Sequence, residues 1–362
     1  MRIFRAAQRI QALTEYLLPC PAPLSTPVPR AFPAHHRRRL ATMAAKTDTT
    51  TYKLNHTMIR VKDPNASVKF YEFLGMSVVK KLAFPDYKFD LYFLGYNSPK
   101  AVSHGNSQVD REGVVELTHN YGTENDASFT VNNGNQEPHR GFGHTCISVD
   151  NIQAACQRLE DAGYKFQKKL ADGRMNNIAF ALDPDGYWVE IIGQNPVEET
   201  ANVKETDVTT YRMNHTMLRV KDAEKSLKFY QEVMGMSLFR TLENPSAGFN
   251  LYFLGYPGEQ GAPKHGKTVH REGLLELTWN YGTEKDDNFK YHNGNDEPQG
   301  FGHICVSVDD VDAACQRFED HGVSWRKKLT DGRMKNIAFM LDPDGYSIEV
   351  VPNDRYSDKV PT

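Results

Sequence analysis

The stretch LNHTMIRVKD at residues 54–63 returns almost unchanged as MNHTMLRVKD at 213–222. Further matching pairs follow in the same order: DLYFLGY at 90–96 with NLYFLGY at 250–256, GFGHTCISVD at 141–150 with GFGHICVSVD at 300–309, and DPDGYWVEII at 183–192 with DPDGYSIEVV at 342–351. A repeat of this length is far longer than a solenoid unit, so each copy has the size of a domain. The sequence therefore predicts a tandem duplication, with copies at 51–195 and 210–354, a polar linker at 196–209 and a tail at 355–362.

Each copy divides once more into two similar halves. In the first copy the pattern predicts a strand at 54–62, a helix around 65–74 and strands near 77–83, 90–95 and 113–119. The order then restarts, with a strand at 142–149, a helix at 151–162 and strands near 165–168, 177–182 and 187–193. For the second helix, Ile152, Ala155, Cys156 and Leu159 share one face. Asp150 is positioned to cap that helix and Gly163 to end it. These elements predict an α+β fold of four β-α-β-β-β modules, paired two by two.

Composition excludes several classes of protein. Hydrophobic residues make up 39% and charged residues 25% of the chain, which is typical of a folded globular protein. No stretch is long and apolar enough to span a membrane. A net charge of −3 leaves no broad basic field for a nucleic acid. Five cysteines without a CxxC pair exclude a disulfide scaffold. Cys156 and Cys315 are expected to be small buried groups on helix faces, and Cys146 and Cys305 to lie in strands.

The first 50 residues are set apart from the rest as a leader. Up to residue 45 they contain one acid, Glu15, a proline cluster and seven arginines: Arg2, Arg5, Arg9, Arg30, Arg37, Arg38 and Arg39. An arginine-rich, acid-poor start is typical of a mitochondrial transit peptide. A disordered tail, or sequence upstream of a start at Met43, explains the same composition. The predicted location is therefore cytoplasmic, mitochondrial or both.

Strand alternation identifies candidate ligands for a metal ion. His56 shares a strand face with Met58 and Arg60, and Glu116 shares one with Thr118 and Asn120. A strand that puts Glu, Thr and Asn on one face lines a polar cleft or faces solvent. Every module has a histidine on its first strand and a glutamate on its last: His56 and Glu116, His144 and Glu190, His215 and Glu276, His303 and Glu349.

Histidine nitrogen and carboxylate oxygen suit a borderline divalent cation such as zinc or nickel. Duplication of inert residues would explain the likeness between the two copies. It would not explain the likeness between the two modules within one copy. The pattern therefore predicts divalent metal sites, with zinc as the first choice.

The same blocks resemble a known family. NHTMIRVKDP, ELTHNYGTE, NNGNQEPHRGFGH, DGRMNNIAF and DPDGYWVEI are similar to the signature segments of glyoxalase I (lactoylglutathione lyase), within the vicinal oxygen chelate superfamily. The resemblance covers about 54–193 and 213–351. The doubled chain resembles the fused, fungal-type form, in which one chain does the work of a homodimer. It implies metal-dependent isomerisation of the hemithioacetal of methylglyoxal and glutathione to S-D-lactoylglutathione.

The resemblance also implies how the ligands are shared. A family site lies between two domains, which groups His56 and Glu116 with His303 and Glu349, and His215 and Glu276 with His144 and Glu190. Glu190 and Glu349 are then the acid/base groups, and Glu116 and Glu276 face them across the metal. The implied glutathione-binding residues are Arg60, Asn120, Arg140, Lys168, Arg174, Met175, Arg219, Asn280, Lys327, Arg333 and Met334.

The two predicted sites are not identical. The first copy reads EPHRGFGH, with Arg140 before His144, whereas the second reads EPQGFGH, with Gln299 in place of the arginine. The first copy has Trp188 where the second has Ser347. We therefore expect weaker substrate binding at the site that contains His303 and Glu349.

Two alternatives remain at this stage. An extradiol dioxygenase or an epimerase of the same superfamily would share the fold, although a dioxygenase centre needs two histidines and only one carboxylate. A non-catalytic binding protein on the same scaffold would not need glutamates in all four modules. The predicted partner is a small molecule, with no nucleic acid and no membrane, and the predicted state is a monomer with two sites.

Overall fold

The computed structural model describes residues 47–172 and 176–356. Most of the predicted leader, Arg174, Met175 and most of the predicted tail lie outside these residues. In the part of the chain that is described, no helix is long and apolar enough to cross a membrane.

The strands follow the predicted order in both copies. Their bounds in copy one are β1 (Lys53–Val61), β2 (Ser77–Phe84), β3 (Phe89–Gly95), β4 (Val114–Asn120), β5 (Phe142–Val149), β6 (Phe166–Lys168), β7 (Ile178–Leu182) and β8 (Trp188–Gly193). Those in copy two are β9 (Arg212–Val220), β10 (Ser237–Asn244), β11 (Phe249–Gly255), β12 (Leu274–Asn280), β13 (Phe301–Val308), β14 (Ser324–Lys327), β15 (Ala338–Leu341) and β16 (Ser347–Pro352).

The helices are few and short. They are α1 (Pro64–Phe73), α2 (Ile152–Asp161), α3 (Val197–Thr200), α4 (Ala223–Lys228), which continues as a π-helical turn (Phe229–Val233), and α5 (Val311–Asp320). Single 3₁₀ turns lie at Thr49–Thr51, Pro85–Tyr87, Gln108–Asp110, Thr123–Asn125, Val208–Thr210, Lys264–Gly266, Thr268–His270 and Thr283–Lys285. The predicted linker therefore contains α3 and one 3₁₀ turn.

The start of α2 differs from the prediction. The side chain of Asn151, not that of Asp150, accepts the capping hydrogen bond, from the backbone N–H of Ala154. Asp150 instead accepts hydrogen bonds from Thr206 Oγ1 and from the backbone N–H of Asp207 in the linker. Asparagine caps a helix as well as aspartate does. Because Asn151 fills the capping position, the Asp150 carboxylate, one residue earlier, can bind the linker instead.

The strands form two eight-stranded sheets, and each sheet takes half of its strands from each copy. Sheet 1 has the order β14-β15-β16-β13-β1-β4-β3-β2, and sheet 2 has the order β10-β11-β12-β9-β5-β8-β7-β6. The halves join through antiparallel pairs in the middle, β1 with β13 and β5 with β9. The α+β fold of four modules paired two by two is thus confirmed, with the first module paired to the fourth and the second to the third.

Helices hold together the two modules of one copy. In copy one, the guanidinium of Arg158 on α2 lies 3.7 Å from the ring centroid of Phe73 on α1 and donates a hydrogen bond to its carbonyl. In copy two, Arg317 on α5 donates to the carbonyls of Glu232 and Val233. Strand pairing therefore connects the copies, and helix packing connects the modules within a copy.

The central strands are buried on both faces. Every residue of β1 after Lys53 and every residue of β5 is buried, including the polar ones. The apolar face packs in the core, with side chains such as Ile59, Val115 and Leu117 that are inaccessible to solvent. On the polar face of β4, Glu116 and Thr118 are buried, so these side chains do not face solvent. Cys156 is a buried thiol as expected, whereas Cys315 is only half-buried. Cys146 and Cys305 lie in β5 and β13 as expected, and both are buried.

Candidate metal centre

Four adjacent strands in each sheet bring two histidines and two glutamates together. Centre 1 consists of His56, Glu116, His303 and Glu349, and centre 2 consists of His144, Glu190, His215 and Glu276. Four neighbouring strands in a flat sheet would span about 14 Å. The ligand atoms of each centre nevertheless lie within 4.8 Å of one another, so each sheet curves around its centre.

In centre 1 the donor atoms converge on one point. His56 Nε2 lies 2.9 Å from Glu116 Oε2, 3.1 Å from Glu349 Oε2 and 3.1 Å from His303 Nε2. His303 Nε2 is 3.7 Å from Glu116 Oε2 and 3.4 Å from Glu349 Oε2. Two ring nitrogens therefore face each other between two carboxylates.

Centre 2 repeats this arrangement. His215 Nε2 lies 2.9 Å from Glu276 Oε2 and 3.1 Å from Glu190 Oε2, and 3.2 Å from His144 Nε2. The corresponding distances from His144 Nε2 are 3.5 Å to Glu190 and 3.9 Å to Glu276. The eight residues predicted as ligands are thus grouped in the two crossed sets that the sequence resemblance implied.

Asparagines fix one ring orientation in each centre. The amide nitrogen of Asn55 donates hydrogen bonds to the carbonyls of Gln108 and Arg111, so its oxygen faces His56. His56 Nδ1 then donates to Asn55 Oδ1 over 2.7 Å, which leaves Nε2 toward the centre. Asn214 holds His215 in the same way over 2.8 Å. Such an outer hydrogen bond sets the tautomer in which a histidine binds a metal.

Bulges and aromatic side chains complete the positioning. The pairing of β1 with β13 shifts register between Leu54 and His56, and a β-bulge commonly re-aims a side chain beside a site. Each imidazole lies edge-on to a phenylalanine, with ring centroids 5.3–5.5 Å apart: His56 with Phe93, His144 with Phe180, His215 with Phe253 and His303 with Phe339. Asn55, Asn214 and these phenylalanines were not predicted, although the segments NH, YFLG and NIAF that contain them recur in both copies.

The charges of the centres suit a cation. Burial acts to raise the pKa of Glu116, but hydrogen bonds from His303 and His56 outweigh it and lower the pKa to about 2. Burial acts to lower the pKa of His215, but hydrogen bonds to Glu190 and Glu276 raise it to about 9. The buried Glu116 carboxylate thus stays ionised and draws positive charge to the point between the side chains of centre 1. A divalent cation satisfies the lone pairs of all four side chains at once.

The predicted glutathione-binding residues divide into two groups around these centres. Arg60 donates to Asn295 Oδ1 and to the carbonyls of Gly294, Gly300 and Phe301, all in copy two. Arg219 repeats this with Asn135 and its loop in copy one. Each arginine is therefore buried beside one centre and ties the two copies together.

The other predicted glutathione-binding side chains differ in their partners and in their burial. Lys168 and Lys327 each donate to main-chain carbonyls, among them those of Ile178 and Ile337 respectively. Asn280 donates to the hydroxyl of Tyr291, and Arg333 to that of Tyr87. Arg140 is half-buried, with Glu137 as its ion-pair partner at 3.3 Å. Asn120 and Met334 are half-buried.

The paired sheets and their histidine–glutamate centres define a class of metal-binding protein. The model of the Glyoxalase/Bleomycin resistance protein/Dioxygenase superfamily matches the chain twice, at 53–191 and 212–350. The chain belongs to this superfamily, and its cofactor is a divalent metal.

Particular relatives narrow the comparison. The chain is 51% identical over 311 residues to a lactoylglutathione lyase of Schizosaccharomyces pombe, which covers 85% of this chain and 99% of the relative. It is also 51% identical over 310 residues to glyoxalase I of Saccharomyces cerevisiae, covering 84% and 93%. Among solved structures, glyoxalase I from Zea mays superimposes with a TM-score of 0.61 at 28% identity, over 84% of this chain and 94% of that one.

Proposed function

We propose that the chain is a lactoylglutathione lyase that isomerises the hemithioacetal of methylglyoxal and glutathione to S-D-lactoylglutathione. The observation that carries the proposal is the paired set of two histidines and two carboxylates, each set completed by both copies. The relatives that match nearly the whole chain bear the same activity in their names. The dioxygenase alternative fits less well, since each centre has a second carboxylate where that chemistry needs an open position.

The chemistry follows from the ligands. A bound divalent cation would polarise the two neighbouring oxygens of the substrate and stabilise the negative charge that develops on them. Glu349 in centre 1 and Glu190 in centre 2 are the acid/base groups, which remove a proton from one carbon and return it to the next. Glu116 and Glu276 lie on the opposite side of each centre, where they can serve the other hand of the substrate.

The substrate would be held from both copies. Glutathione carries two carboxylates, and guanidinium and ammonium groups are the usual partners of such anions. Arg60, Asn120, Lys327, Arg333 and Met334 surround centre 1 in this proposal. Arg219, Asn280, Arg140 and Lys168 do the same for centre 2, and Arg174 and Met175, which lie outside the described residues, are proposed as substrate-binding residues from the sequence alone. Because each centre draws on both copies of one chain, a monomer contains everything that two sites need.

We propose zinc as the metal, because it suits mixed nitrogen and oxygen ligands, with nickel as the second choice. The test measures thioester absorbance with methylglyoxal and glutathione before and after a chelator. We expect the chelator to abolish the activity and zinc, nickel or cobalt to restore it. Full activity in metal-free protein would contradict the mechanism, and elemental analysis of the protein as isolated identifies the metal.

We propose further that the leader directs part of the protein to mitochondria. Its support is the arginine-rich, acid-poor composition up to residue 45. Imaging of a full-length fusion beside one that begins at Met43 tests this. Equal cytosolic distributions of the two fusions would contradict it.

A further inference from the structure

The guanidinium of Arg326 lies beside centre 1, and the sequence comparison of the two copies did not single it out. Arg326 is on β14, and its Nη1 donates a hydrogen bond to Ser347 Oγ over 3.3 Å. Ser347 begins β16 and pairs in register with the ligand His303, two positions before the ligand Glu349. The side chain of Arg326 therefore reaches the strand that carries one of the metal ligands.

A second contact connects Arg326 with the buried arginine of the same centre. Asn295 accepts a hydrogen bond from Arg60 Nη2 over 2.8 Å, and its own amide nitrogen lies 3.4 Å from Ser347 Oγ. Burial lowers the pKa of Arg60 to about 10, and the positive charge of Arg326 contributes to this. The two cations are thus close enough to interact across Asn295 and Ser347.

Centre 2 has the same pair of cations, but its second arginine comes from a different element. Burial lowers the pKa of Arg219, and the nearby charge of Arg140 contributes most after it. Arg140 lies in the loop before β5, where the second copy has Gln299. Centre 1 therefore lacks an arginine in the loop and has one on the neighbouring edge strand instead.

The two copies differ in a matched way around this position. Where copy two has Arg326 and Ser347, copy one has Gln167 and Trp188. The ring of Trp188 packs against Phe180, with centroids 5.4 Å apart, beside the ligand His144. Ser347 has no ring in this position, and the Arg326 guanidinium reaches its hydroxyl.

Arg326 is also available to bind an anion. It is exposed, and within the described residues no carboxylate lies within ion-pair distance of either Arg326 or Arg60. Asp296 is the acidic side chain whose charge acts on Arg326, but it does not form an ion pair with it. The Arg60 guanidinium is occupied by hydrogen bonds to carbonyls and to Asn295, so Arg326 is the group that can bind an anion directly, with the charge of Arg60 behind it. A guanidinium without an acidic partner is a usual binding group for a carboxylate.

We propose that Arg326 binds a carboxylate of the peptide substrate in centre 1 and takes the place that Arg140 has in centre 2. This rests on the proposed function, and it revises the expectation that centre 1 lacks its second cation. The two centres then hold the same substrate with arginines from different elements, a loop for centre 2 and an edge strand for centre 1. A single substitution can therefore alter one centre without altering the other.

The experiment uses two parent variants, each of which leaves one of the two centres active. Glu190→Gln disables centre 2 and leaves centre 1, and Glu349→Gln does the reverse. In the Glu190→Gln parent we expect Arg326→Gln to raise the KM about 10- to 100-fold, because a bond to a charged group is lost, with kcat changed less than threefold. The KM of Arg326→Lys should lie between those of the parent and of Arg326→Gln, since lysine keeps the charge but lacks the planar guanidinium.

Matched variants test whether the effect is local. Lys328→Gln is the neighbouring control, because Lys328 is exposed and pairs with Glu319 on α5. We expect it to leave the KM of the Glu190→Gln parent unchanged. In the Glu349→Gln parent, Arg140→Gln should raise the KM, and Arg326→Gln should alter it less than twofold. An unchanged KM for Arg326→Gln in centre 1, or an equal rise in both parents, would overturn the proposal.

A binding measurement distinguishes this proposal from the proposed function. Calorimetry with S-hexylglutathione on the metal-loaded protein reports affinity without turnover. Weaker binding in Arg326→Gln supports the role of Arg326, and unchanged binding overturns it. Absence of isomerase activity in both parents would contradict the proposed function itself.

Discussion

The asparagines that precede His56 and His215 determine which ring nitrogen of each histidine can bind a metal. Asn55 is inaccessible to solvent, and its amide forms three hydrogen bonds, one of them with His56 Nδ1. With Nδ1 occupied as a donor, only Nε2 can bind a metal. The role of a ligand therefore depends on a neighbour that itself never touches the centre.

At this scale we predict the effect of Asn55→Ala. Loss of the hydrogen bond frees the His56 ring, so the metal affinity of centre 1 should fall about 10- to 100-fold. Metal titration of this variant checks the expectation. Asn214→Ala is the matched variant and should weaken centre 2 alone. Equal weakening of both centres in either variant would show that the asparagines act on the fold and not on the ligands.

The ligand residues could be predicted from the sequence because strand alternation and repetition both expose them. Each module presents its histidine and glutamate on known strands, and four occurrences make coincidence a poor explanation. Arg326 could not be found in this way. It is not repeated in copy one, and its position beside Ser347 depends on a contact between β14 and β16 that no local pattern encodes.

At the scale of elements, two loops cross at very close range. Isolated bridges join Asn132 with Gly300 and Gly141 with His292, one from each copy. A Cβ at Gly300 would lie 1.8 Å from the carbonyl oxygen of Asn132. The Gly300 carbonyl also accepts hydrogen bonds from the backbone and the side chain of Arg60. Glycine is required here because two backbones approach each other.

Gly300→Ala should therefore destabilise the protein by about 1–3 kcal/mol, since the backbones must separate. Thermal unfolding of the metal-loaded protein measures this. Gly95→Ala is the control, because a Cβ there would meet Val114 at an ordinary 3.6 Å. Its stability should be unchanged or higher by up to about 1 kcal/mol. A larger loss for Gly95→Ala than for Gly300→Ala would contradict the close-approach argument.

Most ends of the strands and helices were predicted to within one or two residues, because the hydrophobic periodicity and the turn residues give clear signals. The end of α2 is an example, since Gly163 adopts a positive φ of 80° just after the capping residue Ala162. The pairing of the modules could not be predicted from such local signals. Nothing in the local pattern shows that β1 pairs with β13 and not with β5, because that choice depends on which apolar faces pack together across the whole chain.

At the scale of the whole molecule, the first described residues of the chain form hydrogen bonds with a residue of copy two. Thr47 Oγ1 donates to Asp309 Oδ1 over 2.6 Å, and the backbone N–H of Asp48 donates to Asp309 Oδ2. The linker repeats this contact, with Thr206 bound to Asp150. The same short segment thus precedes each copy and binds the aspartate that follows the neighbouring central strand, β13 for copy one and β5 for copy two.

We predict that a variant beginning at Met43 keeps full activity and thermal stability, because it retains Thr47 and Asp48. A variant beginning at Thr51 loses both hydrogen bonds to Asp309 and should be less stable by about 1–3 kcal/mol. The two unfolding midpoints, measured side by side, check this. Equal midpoints would show that the anchor contributes nothing.

The central claim is that each centre takes one histidine and one glutamate from each copy. It is tested most directly by the isomerase activity of two double variants. Glu190→Gln with Glu276→Gln removes both glutamates of centre 2, so about half of the activity should remain. Glu190→Gln with Glu116→Gln removes one glutamate from each centre, so the activity should fall at least about a hundredfold. If the second double variant keeps half of the activity and the first loses it, each centre lies within one copy and the account is wrong.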